Sequence, residues 1–201
     1  MTTEKARTRG RPRRFDPERA VATAQRLFHA RGYDAVSVAD ITDALGINPP
    51  SFYAAFGNKT GLFARVLDHY AVTGAIPLTD ILRPDRPVAE CLVNVLEDAA
   101  RRYAAHPDAT GCLTLEGIHA NDPEVSEAAR AANGAAEELV RSYIAARHPG
   151  EADSLTDFVC TTLAGLSAKA RLGHSAERLL ATARLAGLAI ARSLPSEPAV
   201  S

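Results

Sequence analysis

Six cationic side chains crowd the first fourteen residues: Lys5, Arg7, Arg9, Arg11, Arg13 and Arg14, opposed only by Glu4. Such a run attracts the phosphates of a nucleic acid. Within it, Thr8-Arg9-Gly10-Arg11-Pro12-Arg13 suits a narrow minor groove. Gly and Pro keep the backbone slim and extended, so that Arg9, Arg11 and Arg13 can point into the negative potential of an A·T-rich tract. A solvated, disordered tail is the competing reading of the same run. Elsewhere the chemistry is sparse. The six histidines (His29, His69, His106, His119, His148 and His174) show no His-x-x-x-His spacing, and the three cysteines form no Cys-x-x-Cys pair. There is no glycine-rich phosphate loop and no nucleophile elbow. No catalytic residue, cofactor or metal site is therefore expected. Cys112 follows Gly111 at a helix start, a place that favours thiolate chemistry, and Lys169 on a later helix is a candidate neighbour. Packing as a small buried hydrophobe is the alternative for that cysteine.

The chain that must position these groups has 201 residues, 46% of them hydrophobic and 23% charged. That is globular composition and argues against wholesale disorder. Its apolar stretches fall short of the roughly 20 residues that cross a bilayer, so no membrane contact is expected. The basic N-terminus has no apolar segment behind it, unlike a secretory signal. Scattered cysteines suit a reducing compartment, and a cytoplasmic location is expected. The net charge of −1 conceals a split. Residues 1–70 hold 11 Lys and Arg against 7 Asp and Glu, whereas residues 71–201 hold 12 against 17.

The patterning predicts an all-α chain. Asp16, Pro17 and Glu18 open a first helix with an apolar stripe of Val21, Ala24, Leu27 and Phe28, closed by Gly32. Ser37 and Asp40 form a capping box before a short second helix that stops at Gly46. Asn48 caps a third helix beginning Pro49-Pro50, and Asn58 caps a fourth after Gly57. A connector over residues 73–87 follows, then helices over about 88–103, Cys112–Ala120, 123–147, 152–172 and 175–194. A short helix, a turn at Leu45-Gly46-Ile47 and a second short helix with a polar start make a helix-turn-helix, whose third helix lies in the major groove. The expected organisation is a basic arm over 1–14, a helix-turn-helix DNA-binding domain over 15–72, a second helical domain over 73–195, to which the family resemblance set out below assigns regulation and dimerisation, and a tail over 196–201.

The run Val36-Ser37-Val38-Ala39-Asp40-Ile41, followed by Leu45-Gly46-Ile47-Asn48-Pro49-Pro50-Ser51-Phe52-Tyr53-Ala54-Ala55-Phe56-Gly57-Asn58-Lys59, resembles the DNA-binding domain of the tetracycline-repressor (TetR/AcrR) family. The resemblance is close over about residues 15–65. It includes the Gly10-Arg11-Pro12-Arg13 lead-in of one branch, and it implies a three-helix reading head followed by a helical ligand-binding and dimerisation domain. It further implies that Lys59 grips a phosphate, helped by its helix dipole. The Tyr53 hydroxyl is implied to reach the DNA backbone, Ser37 and Thr42 to contact phosphate, and Asn48, Pro50 and Ser51 to face the groove. Pro49 departs from the pattern, standing where relatives often carry Arg or another donor. Two prolines offer chiefly contact with a thymine methyl, which leaves the arm and the backbone contacts to supply much of the affinity.

For the second domain, small residues on the last two helices (Ala164, Gly165, Ala168, Gly187, Ala189) permit close helix approach and the leucines Leu163, Leu166, Leu185 and Leu188 supply apolar area, and the family resemblance implies that this pair forms a four-helix homodimer interface. The same residues also suit an intramolecular core. Tyr70, Tyr103, Cys112, Glu116, His119 and Phe158 are candidates to line a pocket for a small-molecule inducer. Glu116 and His119 are expected one turn apart, where a rim ion pair is the plainer alternative. The expected function is a homodimeric repressor released from a palindromic double-stranded DNA operator by its inducer. A repressor that senses oxidants or electrophiles through Cys112, and a helical ligand-binding protein without specific DNA recognition, are the alternatives.

Overall fold

The computed structural model describes residues 16–194. The expectations for Arg9, Arg11 and Arg13 in the arm, and for the tail, lie outside the described residues. Helix α1 (Pro17–Arg31) starts where the Asp16 carboxylate accepts the Glu18 and Arg19 N–H groups. Helix α2 (Val38–Leu45) starts on the Ser37/Asp40 capping box. Gly46 then takes a left-handed conformation (φ 65°, ψ 37°) that a side chain would disfavour, and this turns the chain into α3 (Pro49–Phe56). Asn48 caps α3 through the Ser51 N–H at 2.9 Å, and Asn58 caps α4 (Lys59–Thr73) through the Gly61 N–H at 2.6 Å.

The connector holds a single helical turn that the sequence pattern does not announce, α5 (Leu78–Ile81). After it come α6 (Val88–Tyr103), the short α7 (Leu113–Gly117), α8 (Pro123–Ala145), α9 (Ala152–Arg171) and α10 (Ala176–Ser193). No strand occurs among the described residues, and none of their helices is long and apolar enough to cross a membrane.

Two apolar cores result. The first gathers Phe28, Ile41, Phe52, Leu62, Phe63 and Val66 from α1–α4, and extends to Leu113 of α7 and to Val125 and Ala129 of α8. The reading head is thus welded to the ends of α7 and α8, beyond the connector seam that composition suggests. The second core surrounds α6, whose apolar stripe packs on α9 and α10. Leu166, 2% exposed, belongs to this second core, which corrects its assignment to a dimer face. Its side chain already lies against its own chain and has no area left to offer a copy. Leu163 is half-buried against the same core. Gly187 is likewise internal, because a Cβ there would lie 2.8 Å from Val93 of α6.

Candidate nucleic-acid interface and effector cavity

Burial of Phe52 and Phe56 fixes which side of α3 faces outward. The opposite side presents Asn48 and Pro50, with Ser51 half-exposed beside them, and Tyr53 is 52% exposed with its ring edge-on to Phe52 at 5.4 Å. The Asn48 carbonyl oxygen is occupied by its cap, which leaves the amide N–H₂ to meet a base edge or phosphate. Ser37 is exposed at the start of α2, with its hydroxyl donated to Asp40. Thr42 does not join this surface. It is 4% exposed, and its hydroxyl donates to the Ala39 carbonyl at 3.0 Å, so the phosphate contact expected of it has no atom at the surface. Lys59 opens α4, and its ammonium rests 3.9 Å from the centre of the Tyr33 ring, near the carboxylates of Asp34 and Asp122. Partial burial lowers its pKa. A cation–π contact holds the half-buried ammonium against this ring, so the phosphate contact expected of it would require the side chain to leave Tyr33.

Two junctions tie this head to the rest of the chain. At one, the Tyr33 hydroxyl and the Thr60 hydroxyl both donate to the Asp122 carboxylate at 2.9 Å, and Asp122 also caps α8. Burial, more than any neighbour, pushes the Tyr33 hydroxyl up to about 12. At the other, the buried His29 ring donates from Nε2 to the Gly111 carbonyl at 3.0 Å, while its edge meets the Tyr70 ring. Burial lowers the His29 pKa, and the Arg171 charge acts in the same direction.

His29 therefore makes folding pH-dependent in a definite direction. Above the ordinary imidazole pKa of 6.5, folded and unfolded rings are both neutral; below it, the unfolded ring takes a proton that the buried ring resists. Stability falls as the pH drops, by at most about 1.4 kcal/mol at pH 5.5 from this residue, since that pH lies one unit below the free value. Urea unfolding at pH 7.5 and 5.5 is expected to show a smaller loss in His29→Asn than in the parent; an equal loss would assign the pH dependence to other groups.

Behind the second junction lies a cavity of about 460 Å³ bounded by α4, the α5 connector and α6–α9. Tyr70, Tyr103 and Cys112 line it, with both phenol hydroxyls hydrogen-bonded to the Cys112 sulfur. The cysteine's backbone N–H donates to the Ser167 hydroxyl at 2.9 Å. The other three pocket candidates lie elsewhere. Glu116 turns away and pairs with Arg171 at 3.3 Å. Helix α7 ends at Gly117, so His119 sits beyond it, exposed, and no shared helix face aligns it with Glu116. Phe158 points outward, 40% exposed. Lys169 is exposed beside His174 and Arg178 in a shallow cleft between α9 and α10. Ser167, two residues earlier and so on the far side of the helix, is the α9 residue that reaches Cys112. The sequence pattern missed Glu137, Asn133 and Cys160 on the cavity wall. It also missed the Asp122 and Gly111 contacts, which join residues 62 to 89 positions apart and leave no local signal.

Exposed apolar side chains concentrate at the last two helices: Phe158, Leu172, Leu185 and Leu188. Leu185 and Leu188, at 68% and 64% exposure, contribute little to their own protomer. Ala164, Gly165, Ala168 and Ala189 are exposed on the same pair of helices.

Residues 20–66 match the family model described as bacterial regulatory proteins, tetR family. The chain is 58% identical over 190 residues to the HTH-type transcriptional repressor BdcR of Escherichia coli (strain K12), covering 94% of this chain and 96% of that protein. It is 29% identical over 185 residues to the HTH-type transcriptional repressor ComR of the same organism, covering 87% and 88%. Among solved structures, it resembles a cysteine mutant of the TetR family transcriptional regulator CifR complexed with 26-base-pair double-strand operator DNA. That match has a TM-score of 0.80 and 34% identity, over 89% of this chain and 99% of that one. With the reading head matched by the family model and a repressor so similar along nearly its whole length, the chain belongs to the tetR family of bacterial regulatory proteins and is a regulator, not an enzyme.

Proposed function

We propose that the chain is a homodimeric transcriptional repressor that holds a palindromic double-stranded DNA operator through paired α3 helices and releases it when a small-molecule inducer fills the 460 Å³ cavity. The exposed strip of Asn48, Pro50, Ser51 and Tyr53, backed by buried Phe52 and Phe56, carries this reading. Similarity to a repressor and to a regulator solved on operator DNA supports it. Two copies joined through α9 and α10 set their α3 helices one helical turn of duplex apart, about 34–36 Å, or a multiple of it. Release follows from shared parts. Tyr70 lines the cavity and lies on α4, the helix whose first residue is Lys59, and the same tyrosine touches His29 of α1. A ligand that displaces Tyr70 turns α4 and alters the spacing of the two heads, which is differential affinity for the two states.

Gel shifts over a salt series, with DNA flanking the coding region, test the DNA half of the proposal. The parent is expected to bind with a steep salt dependence. Lys59→Met is expected to weaken binding on every fragment and to flatten the log–log salt slope by about one. An unchanged slope would show that Lys59 serves only its internal contact with Tyr33. Failure to bind any such fragment at low ionic strength would overturn the reading as a whole.

A further inference from the structure

Every side chain that lines the cavity is uncharged except one, Glu137 of α8. Lys, Arg and His are absent from the lining. The tyrosines cannot act as anions there, because burial holds the hydroxyls of Tyr70 and Tyr103 far above their ordinary pKa. Glu137 accepts the Asn133 amide at 2.8 Å and makes no ion pair among the described residues. Its charge acts on Cys160, another lining residue, where burial first and then the Glu137 and Asp157 carboxylates push the thiol up to about 11. The chamber thus combines apolar walls, two neutral aromatic rings and one carboxylate without a cationic partner.

We propose that the effector belongs to the class of apolar organic cations, amines or quaternary ammonium compounds of drug-like size, with Glu137 as the residue that selects the charge. The inference rests on reading this cavity as the effector site. A cavity of this volume suits a drug-sized ligand, and largely apolar walls with few polar groups are the usual build. A cation brought into it meets a charge-assisted partner in Glu137 among walls that include the Tyr70 and Tyr103 rings. A carboxylate or phosphate of the same shape loses its hydration, finds no counter-charge and faces Glu137.

Three compounds with one skeleton test the charge selection at pH 7.5: 4-phenylbutylammonium, 4-phenylbutan-1-ol and 4-phenylbutyrate, titrated into the full-length protein by calorimetry. The ammonium is expected to bind at least tenfold more tightly than the alcohol, and the butyrate at least tenfold more weakly than the alcohol. In Glu137→Gln, the ammonium should fall to within about threefold of the alcohol. The alcohol should hold its parental affinity within twofold, which also shows that the variant is folded. If the butyrate matches the ammonium, or the preference for the ammonium survives in Glu137→Gln, the charge assignment is overturned while the effector cavity stands. If no compound binds, or Leu163→Trp, which fills the chamber from α9, leaves all three affinities unchanged, the cavity reading falls and takes the ligand class with it.

Discussion

Leu185→Glu combined with Leu188→Glu is expected to give a folded monomer whose operator affinity is at least a hundredfold below that of the parent. Both side chains stand mostly in solvent on α10, at 68% and 64% exposure, so replacing them removes nothing from the protomer's own core. That core lies on the other side of the helix, at Leu179, Ala183 and Ile190. In a two-fold interface the same patch meets itself, so each protomer brings two new carboxylates toward two more, and desolvating them outweighs what burial of the leucines contributed. The loss in DNA affinity follows from linkage. Once one head is bound, the second is tethered at a high effective concentration, a gain of roughly 10²–10⁴ that a monomer forfeits. Light scattering reads the oligomeric state, and a gel shift on the full palindrome reads the affinity. A double variant that stays dimeric would move the interface away from α10. One that is monomeric yet binds with parental affinity would remove the paired-head geometry from the proposal.

The contrast between Leu185 and Leu166 shows what a sequence can and cannot disclose. Both sit in apolar stripes of neighbouring helices, and a stripe says only that a helix has an apolar side. Leu166 meets α6 and its own core, and Leu185 meets solvent, a difference set by where α6 lies. Local signals were far more informative. Asp16, Ser37, Asn48 and Asn58 each cap the helix whose start they mark, because capping is settled within three residues. The turn at Gly46 was legible for the same reason.

The cavity was legible only where a residue's type forced the answer. Tyr70 and Tyr103 are large aromatics on stripes that point inward, and they do line it. The expected alignment of Glu116 with His119 needs an α7 that runs on to Ala120, and nothing local tells which side of α9 Phe158 and Lys169 occupy. Once α7 stops at Gly117, Glu116 is free to reach Arg171, and spacing gives no hint of Glu137 on a helix that otherwise reads as solvated.

Gly61→Ala is expected to abolish operator binding and to destabilise the reading head by about 3 kcal/mol or more. Gly61 lies in the first turn of α4, and its N–H donates to the Asn58 side chain that caps the helix. A Cβ at this position would sit 2.4 Å from the carbonyl oxygen of Phe56, the last residue of α3, and 3.3 Å from the capping oxygen of Asn58. The first of these atoms is backbone and cannot rotate away, so the start of α4 has to move off the end of α3. That movement lengthens the Asn58 cap, disturbs the packing of buried Phe56, and shifts Tyr53 relative to Lys59. Gly134→Ala is the matched control. It adds the same methyl group to the middle of α8, where nothing lies within 4 Å, and is expected to stabilise the protein by about 0.5–1 kcal/mol through helix propensity alone. Urea unfolding and gel shifts on both variants separate a steric block from a propensity effect. If Gly61→Ala behaves like Gly134→Ala in both measurements, α3 and α4 can slide apart without cost, and their fixed junction is not what aims Tyr53 at DNA.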